Sequence, residues 1–481
     1  MDIDLKAYNL SKSKVETLVG KDKKYDHITG AGFSRLDELL SFMHGVGIYD
    51  LIDAIHSPMK RKTDIPRSFI HLTLALRPIL EITGINQVPQ KLFTSPVILK
   101  KLGCSLEVIE GGFSSKNKEG KNLPHCLDTI YDEAKRIEPS QLDKLLSGQI
   151  ILLSSKKFIK KYPGIYAIDA TDIEVSKGTQ YQNIGKVVKE TAERDRDGNI
   201  YQKLKVKYGY KLVILQSIEK DARYIVAAAL VPLNVHEVTL AYPLIKSAYD
   251  ILGPGYIKTI LADRGFFDGD LFRKLMDLSI DFIIPAKKNN EILTDMKGLA
   301  KIKGYSKATG KKGEKIKGFS ELSTLSSCLY KLNGILTDDG HGFITSLKVN
   351  TKKRLAKTYN LYSKRWDIEN YGFRELKQYW NLERLPGKKF NTVYMHTFLI
   401  LAMFNTVEAY KSNKRDKFIQ KGFKSLVKAN FNYTDQLIIY RDSYFGIFSL
   451  KEFLLLMDLP PPSEEAVFRI IKYPQGKGKL W

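Results

Sequence analysis

Strands and helices alternate between residues 165 and 285, and this alternation constrains the fold more than any other feature of the sequence. Three runs rich in apolar and β-branched residues predict successive strands at 165–175, 205–216 and 223–231. The segments that follow predict a helix, a strand, a helix and a strand at 237–252, 256–262, 269–277 and 281–285. Because no helix separates the first three strands, the sheet is expected to be mixed rather than purely parallel. The pattern therefore predicts an α/β domain.

The regions around this segment differ from it in composition. Apolar residues at helical spacing predict helices through most of the first 155 residues. Lysines, glycines and turn formers dominate the stretch after residue 285, which predicts a β-rich insertion, and helical spacing then returns. We predict five regions: a helical N-terminal region (1–155), the first part of the α/β domain (156–285), the insertion (286–350), the closing helices of the α/β domain (351–410) and a helical C-terminal region (411–481).

The charge balance indicates a polyanionic partner. The 481 residues include 77 Lys+Arg and 53 Asp+Glu, which gives a formal net charge of +24. Nucleic acid is the commonest partner of such a chain, although a ribosome or an anionic membrane surface would fit the same balance. A pattern of helix, glycine turn and helix at 92–109 fits a DNA-contacting helix-turn-helix, and it fits an ordinary helical hairpin as well.

Cysteines and apolar runs bear on the cellular compartment. Cys104, Cys126 and Cys328 are far apart and odd in number, which predicts buried free thiols in a reducing compartment rather than disulfides or a zinc site. The first residues contain no apolar run typical of a secretory signal. Apolar stretches such as 398–404 are much shorter than the ~20 residues needed to cross a bilayer. We therefore expect a soluble, intracellular protein.

Two aspartates lie in predicted strands. Asp169 lies within the first strand, and Asp263 follows the fourth strand, just before Arg264 and Gly265. Burial of a lone carboxylate costs several kcal/mol, so charged residues in apolar strands usually have a purpose. Either aspartate alone is as consistent with a strand-end cap or an ion pair as with a ligand. Together, on neighbouring strands, they predict a site for a hard cation such as Mg²⁺ or Mn²⁺.

A third carboxylate lies in the predicted helix after the insertion. Arg365 and Glu369 are four residues apart and Tyr362 lies three residues before Arg365, so all three share one helical face. A solvated Arg–Glu pair, worth only about 0.3–0.5 kcal/mol, would explain this spacing as well as a functional site would.

Several motifs, in a fixed order, resemble those of the DDE transposases of bacterial insertion sequences. The resemblance covers residues 164–380 and includes the segments IDATD, KYGYKL, NVHE, ADRGF, FITSL and YSKRWDIENYGFRELKQ. The most specific is the last, because it resembles the Tyr-Arg-Glu-Lys signature of one group of this family. The resemblance implies an RNase H-like catalytic domain, with a mixed sheet flanked by helices and interrupted by the insertion, and a DNA-binding N-terminal region.

The resemblance also implies a reaction and its participants. Asp169, Asp263 and Glu369 would be the catalytic residues and would hold two Mg²⁺ or Mn²⁺ ions. The reaction would be cut-and-paste transposition, in which the enzyme cleaves the ends of a DNA element and transfers the freed 3′-hydroxyl into target DNA. The partners would be double-stranded DNA, both terminal inverted repeats and target, and a second copy of the chain, in the bacterial cytoplasm. The residues implied to contact DNA are Tyr362, Arg365, Lys377, Arg264 and Lys211.

The sequence departs from the signature at one position. The family has six residues between the catalytic Glu and the Lys, whereas seven residues separate Glu369 from Lys377 here. Eight positions rotate an ideal helix about 80° away from its starting face, whereas seven positions return to within about 20° of it. We therefore predict that a π-bulge near Gly372 absorbs the extra residue.

Several alternatives remain open at this point. A metal-dependent nuclease that cuts without rejoining, or a silent DNA-binding descendant of a transposase, would have the same motifs. Some relatives form a DNA hairpin and stack a flipped base on a Trp in the insertion, but no Trp lies between 286 and 340, where Tyr305, Phe319 or Tyr330 could substitute. His236 is expected to be structural, whereas Glu237 could approach the metal site.

Overall fold

A computed structural model describes most of the chain. The described residues are 9–30, 36–58, 67–80, 82–88, 127–176, 180–194, 200–219, 223–288, 290–302, 305–413 and 436–460, together with five positions between 92 and 104. The chain forms two compact units, one made of residues 137–413 and the other made of residues 1–136 together with 414–481.

The unit of residues 137–413 is built on one large sheet. Its strands are β1 (Ile165–Val175), β2 (Gly185–Arg194), β3 (Ile200–Ser217), β4 (Ile225–Pro232), β5 (Thr259–Ala262), β6 (Asp281–Pro285), β7 (Ser306–Thr309), β8 (Lys315–Leu322), β9 (Leu332–Thr337) and β10 (Gly342–Thr345). The strand order is β2-β3-β1-β5-β6-β10-β9-β8-β7, and β4 pairs with β3 on the edge opposite β1.

The centre of this sheet has the RNase H-like arrangement. Strands β1, β3 and β4 form an antiparallel meander, and β5 and β6 continue the sheet parallel to β1. The resulting order is β4-β3-β1-β5-β6, and the helix at Val238–Leu252 lies in the crossover to β5, which a parallel neighbour of β1 requires. The predicted α/β fold with a mixed sheet is therefore confirmed.

The insertion extends this sheet instead of forming a separate layer. Strand β10 pairs antiparallel with β6, and β9, β8 and β7 follow in antiparallel order. Five buried apolar side chains form the core of this part: Ala308, Ile316, Ile335, Val349 and Leu355. Because Leu355 belongs to the helix after the insertion, the insertion and that helix share one core.

Helices cover the sheet. They are α1 (Pro139–Ser155), α2 (Val238–Leu252), α3 (Gly269–Asp277), α4 (Glu291–Leu299), a segmented helix over 352–378 called the site helix below, and α5 (Phe390–Asn413). Every residue of α5 from Thr392 to Tyr410 is buried, as expected of a helix surrounded by protein on all sides. No helix in the described part of the chain is long and apolar enough to cross a membrane.

Helix α1 belongs with this sheet and not with the N-terminal region. The Gln149 side chain donates to the Ala402 carbonyl oxygen (2.8 Å) and to Thr406 Oγ1 (3.0 Å) on α5. The boundary between the units therefore lies near residue 136, whereas the sequence predicted it at 155. Helical spacing alone does not indicate which core a helix joins.

The other unit combines both ends of the chain. Its helices are Lys12–Asp22, Leu36–Val46, Ile48–Asp53, Arg67–Leu76, Leu127–Arg136 and Leu450–Leu456. Its four-stranded sheet has the order Asn9–Leu10, Tyr444–Ser449, Gln436–Arg441 and His27–Gly30. The wholly helical C-terminal region predicted for 411–481 is therefore corrected, because 436–449 form a hairpin. Most of the predicted helix-turn-helix at 92–109 lies outside the described residues.

The cysteines follow the sequence prediction as far as they are described. Cys104 and Cys328 are free and buried, and burial raises the pKa of the Cys104 thiol to about 12. Cys126 lies outside the described residues.

Replacing Asn405 by Ala is expected to lower the free energy of unfolding by about 2–5 kcal/mol, because two buried backbone groups lose their partners. The Asn405 side chain accepts from the Ile225 N–H (2.8 Å) and donates to the Ile225 carbonyl oxygen (2.9 Å). It therefore supplies hydrogen-bond partners to both backbone groups of Ile225 on the outer edge of β4. Urea denaturation measures the loss. The exposed Asn370→Ala is the matched control, and equal stabilities of the two variants would contradict this role.

Candidate active site

Asp169 and Asp263 lie side by side on one face of the sheet. In the parallel pairing of β1 and β5, Ile168 is level with Ala262, so the next residue of each strand points to the same side. Asp169 is only 8% exposed, and its Oδ1 accepts from the Ala170 N–H (2.8 Å). The sequence prediction that these two carboxylates meet at neighbouring strands therefore agrees with the sheet register.

A tight turn fixes the Asp263 side chain. Asp263 precedes the short 3₁₀ turn Arg264–Phe266, and its Oδ1 accepts from the Gly265 N–H (2.7 Å). A methyl group on Gly265 would lie 2.7 Å from Glu237 Oε1 and 2.9 Å from Asp263 Oδ1, which leaves no room for a side chain. Glu237 thus approaches the site, since its carboxylate lies beside the same glycine as that of Asp263.

The site helix brings the third carboxylate to the same face. Nη1 of Arg365 lies 3.0 Å from Asp169 Oδ2 and 2.9 Å from Glu369 Oε1, so one guanidinium nitrogen bridges the two acids. Arg365 is 7% exposed, and its guanidinium lies 4.8 Å from the centre of the Trp366 ring. The alternative of a solvated Arg–Glu pair is therefore corrected, because the arginine is buried and reaches the sheet.

The site holds more negative charge than its one buried cation balances. The pKa of Asp169 is raised to about 7, mainly by burial; the Ala170 N–H and Arg365 act in the opposite direction, and the nearby Asp263 and Glu369 contribute to the increase. Burial also raises the pKa of Tyr362 to about 12, despite the nearby Arg365. Carboxylates that converge in a poorly solvated position favour hard divalent cations.

The donor chemistry of Asp169, Asp263 and Glu369 fits Mg²⁺ or Mn²⁺, because all three supply carboxylate oxygens. Within the described ranges, no three acidic, His or Cys side chains already surround one point at metal-binding distance. Arg365 Nη1 instead serves as counter-ion to Asp169 and Glu369.

The predicted π-bulge is confirmed. The site helix runs as an α-helix over Lys352–Tyr362, a 3₁₀ turn, a short α segment, a π-helix over Glu369–Phe373 and an α-helix over Arg374–Gln378. Lys377 Nζ donates to the Asp172 carbonyl oxygen (2.7 Å) and pairs with Glu383 (2.8 Å). The extra residue is therefore absorbed, and Lys377 reaches the strand that carries Asp169.

Sequence reasoning missed the groups that pack against this π-helix. A methyl group on Gly372 would lie 2.5 Å from Gln216 Oε1, a buried atom without a hydrogen-bond partner among the described residues. Gln216 Nε2 donates to the Arg223 carbonyl oxygen (3.2 Å), and the Arg223 guanidinium stacks 3.8 Å from the Tyr371 ring centre. Gln216 at the end of β3 and Arg223 just before β4 thus both pack against the π-helix.

The two remaining predicted DNA contacts differ in their surroundings. Lys211 Nζ contacts the Val235 carbonyl oxygen (2.8 Å) and Glu237 Oε2 (2.6 Å), so it positions Glu237 inside the protein. Arg264 instead lines a cleft of about 590 Å³ beside the site, which Tyr362, Trp366, Lys288 and His341 also line. Lys288 and His341 were not singled out from the sequence, because only the tertiary fold brings them to this cleft, and Trp366, which the helical pattern predicted to pack on the sheet, is 53% exposed there.

The other predicted residues are accounted for by local contacts. The His236 backbone carbonyl oxygen accepts from Thr239 Oγ1 (2.7 Å) at the start of α2, and a structural role for the His236 side chain stays a prediction. Tyr305 and Phe319 pack against each other at 5.6 Å, and Tyr330 donates to Asp277 Oδ1 (2.7 Å). Neither cluster includes a residue of the carboxylate site.

The stability of the fold is expected to depend on pH through Glu375 of the site helix. Burial raises its pKa from 4.5 to about 7; Lys411 lowers the pKa, Glu408 raises it and Arg223 lowers it. The folded state therefore binds the proton more tightly, and stability falls as the pH rises between these two values. Glu375→Gln should remove this loss, so the variant gains up to about 3 kcal/mol over wild type between pH 4.5 and 8. Urea denaturation at several pH values checks this, and a pH-independent difference would contradict it.

The family described as "Transposase DDE domain" matches residues 161–406, just over half of the chain. No curated protein sequence matches the chain. One similar solved structure is a cryo-EM structure of the piggyBac transposase synaptic complex with hairpin DNA, at 8% sequence identity and a TM-score of 0.35. The match covers 92% of this chain and 84% of that chain.

Proposed function

This chain belongs to the transposase DDE domain family, and we propose that it cleaves the ends of a DNA element and transfers the freed 3′-hydroxyl into target DNA. The observation that carries the proposal is that Asp169 and Glu369 both contact the buried Arg365, while Asp263 lies beside Asp169 at the end of the neighbouring strand. The narrower assignment to the insertion-sequence group with the Tyr-Arg-Glu-Lys signature is part of the same proposal.

Asp169, Asp263 and Glu369 would hold two Mg²⁺ or Mn²⁺ ions. When bound, such ions lower the pKa of an attacking water or 3′-hydroxyl and stabilise the leaving oxygen of a phosphodiester. The chain itself supplies the acidic ligands on two rigid strands and one helix. Asp263 is pre-oriented by the Gly265 N–H, so little conformational freedom is lost when it acts as a ligand.

The cationic and aromatic residues of the site would hold the DNA. Arg365 lies between two of the acids and can donate to a phosphate that flanks the scissile bond, and Tyr362 and Arg264 line the cleft beside it. Lys377 of the site helix contacts the Asp172 carbonyl oxygen on β1, the strand that carries Asp169. Lys211 has a different role in this proposal, because its ammonium group holds Glu237.

The proposal includes the partners expected from the sequence. These are double-stranded DNA, as terminal inverted repeats and as target, and a second copy of this chain that binds the other end. The place of action would be the bacterial cytoplasm. The formal charge of +24 supports a polyanionic partner.

The proposal is tested on the DNA that flanks the coding region. We expect imperfect inverted repeats there, and we expect the purified protein to cut a labelled duplex at the repeat boundary in Mg²⁺ but not in EDTA. A scrambled duplex of equal length is the control. Failure to bind or cut any flanking sequence in Mg²⁺ or Mn²⁺ would contradict the proposed function.

A further inference from the structure

One edge strand of the large sheet has no partner on its outer side. Strand β2 lies at the end of the strand order, and within the described residues it pairs with β3 alone. It is ten residues long, contains no proline and pairs with β3 without a shift in register. Such an edge presents a row of backbone N–H and C=O groups with which another strand can pair.

One face of this edge carries exposed apolar side chains. The name ribbon is used below for β2 and residues 200–207 of β3, which pair with each other beyond the end of β1. On one face of the ribbon Val188 lies opposite Val206, and Leu204 lies diagonally beside Val188. These three side chains are 50%, 41% and 64% exposed, respectively. Because an isolated two-stranded ribbon is only marginally stable in water, further strands beside it would stabilise it.

The charges on this face of β2 are opposite in sign and equally far from Val188. Lys186 lies two residues before Val188 and Glu190 lies two residues after it, so all three side chains point to the same side of the strand. Both charged side chains are exposed, and neither forms an ion pair within the part of the chain that the structure describes. The strand is therefore complementary to itself when it is inverted about Val188.

The register of such a self-pairing follows from these side chains. Two identical antiparallel strands place one residue opposite its own copy, on a two-fold axis. With the axis at Val188, the two valines meet, and each Lys186 lies opposite Glu190 of the second copy. Axes at Glu190 or at either lysine of β2 set like charges opposite each other, and an axis at Val187 pairs no charges. Axes nearer the ends of the strand place Val188 opposite Arg194 or beyond the strand.

We propose that β2 pairs antiparallel with β2 of a second copy of this chain, about a two-fold axis at Val188, so that the two large sheets join into one. This inference rests on the proposed function, which calls for a second copy at the other DNA end. Strand β3 runs without a shift in its pairing with β2 and β1 from Val206 to Ile214, which lies opposite Asp169. The carboxylates of both copies would therefore lie on the same side of the joined sheet.

Charge reversal tests the register. Lys186→Glu or Glu190→Lys alone turns both opposite-charge pairs into like-charge pairs, so each should raise the dimer dissociation constant about 30-fold, which corresponds to about 2 kcal/mol. The double variant, Lys186→Glu with Glu190→Lys, rebuilds both pairs and should return to within about threefold of wild type. Sedimentation equilibrium of the full chain without DNA measures the constant. Lys189→Glu is the matched control, because Lys189 lies on the other face of β2, and it should have little effect.

A cysteine cross-link tests the position of the axis. Val188→Cys would lie opposite its own copy at a Cα separation of about 4.5–5.5 Å, which a disulfide spans, so mild oxidation should give a covalent dimer. Thr191→Cys is the control, because its two copies would be six positions apart along the paired strands, about 20 Å at ~3.3 Å per residue. Wild-type protein gives the background from the native cysteines.

Four results would overturn the proposal. They are a wild-type chain that stays monomeric at the highest concentration reached, a dimer that charge reversal does not weaken, a double variant as weak as either single variant, and cross-linking of Thr191→Cys as readily as of Val188→Cys. Because these measurements use no DNA, they can fail while the protein still cuts its repeat in Mg²⁺. A dimer that meets every expectation but cuts no duplex would contradict the proposed function and leave the interface intact.

Discussion

Asp263→Asn is expected to reduce DNA cleavage by about 10³-fold or more while duplex binding stays within about twofold of wild type. Metal ions held by such carboxylates contribute several kcal/mol of transition-state stabilisation, and each 1.36 kcal/mol changes the rate tenfold. Asn has nearly the same shape and its Oδ1 can still accept from the Gly265 N–H, so the turn should persist. The substitution therefore removes the charge and little else.

The control for Asp263→Asn is Asp268→Asn. Asp268 also accepts a backbone hydrogen bond, from the Leu271 N–H (2.9 Å), and begins α3 five residues later. Its variant should cleave DNA at close to the wild-type rate. Cleavage is measured as a single-turnover rate in Mg²⁺, and binding is measured by anisotropy in EDTA. Retention of more than a tenth of the cleavage rate in Asp263→Asn would contradict the assigned role.

Gly372→Ala is expected to slow cleavage by about 10²-fold, the cost of a displacement of the order of 1 Å in a catalytic group. The new methyl group would meet Gln216 Oε1 at 2.5 Å inside a packed region, so the π-helix would have to move away from β3. Glu369 begins this π-helix and would move with it. Overpacking of this kind also costs typically about 1–3 kcal/mol of stability.

A second substitution should reverse much of this effect. Gln216→Ala removes the atom that the new methyl group meets, so the double variant is expected to cleave faster than Gly372→Ala alone. Gly298→Ala is the control for an alanine in a helix, because no atom lies within 4 Å of a methyl group there. Cleavage rate, duplex binding and melting temperature are measured for Gly372→Ala, Gln216→Ala, the double variant and Gly298→Ala. Equal rates for Gly372→Ala and the double variant would contradict the proposed contact.

The central strands and the proximity of Asp169 and Asp263 could be predicted from local signals, whereas Glu369 was singled out through the family resemblance. The predicted bounds 165–175, 269–277 and 281–285 coincide with β1, α3 and β6, whose apolar patterns are continuous and whose ends are marked by polar or turn-forming residues. The π-bulge could be predicted because an extra residue in a helix changes its periodicity by a known angle.

Other features depend on contacts between distant segments. Strand β2 was missed because its residues, such as Lys186, Lys189 and Glu190, are polar on both faces and no apolar core marks them. The pairing of the hairpin over 436–449 with strands near the N-terminus joins segments more than 400 residues apart. The ion pair of Lys211 with Glu237 could not be predicted, because Glu237 lies beyond β4 in the sequence and only the sheet brings it near; the DNA contact that the resemblance implies for Lys211 stays a prediction.

A strand-transfer assay tests the central claim most directly. The substrates are a precleaved duplex that carries the inverted repeat with a free 3′-hydroxyl, and a supercoiled plasmid. With wild-type protein and Mg²⁺, we predict covalent joining of the duplex end to the plasmid. We predict no joining when the end carries a 3′-deoxy terminus or when the protein is the Asp263→Asn variant. Cutting of the uncleaved repeat without any joined product, or joining that persists in Asp263→Asn, would contradict the account.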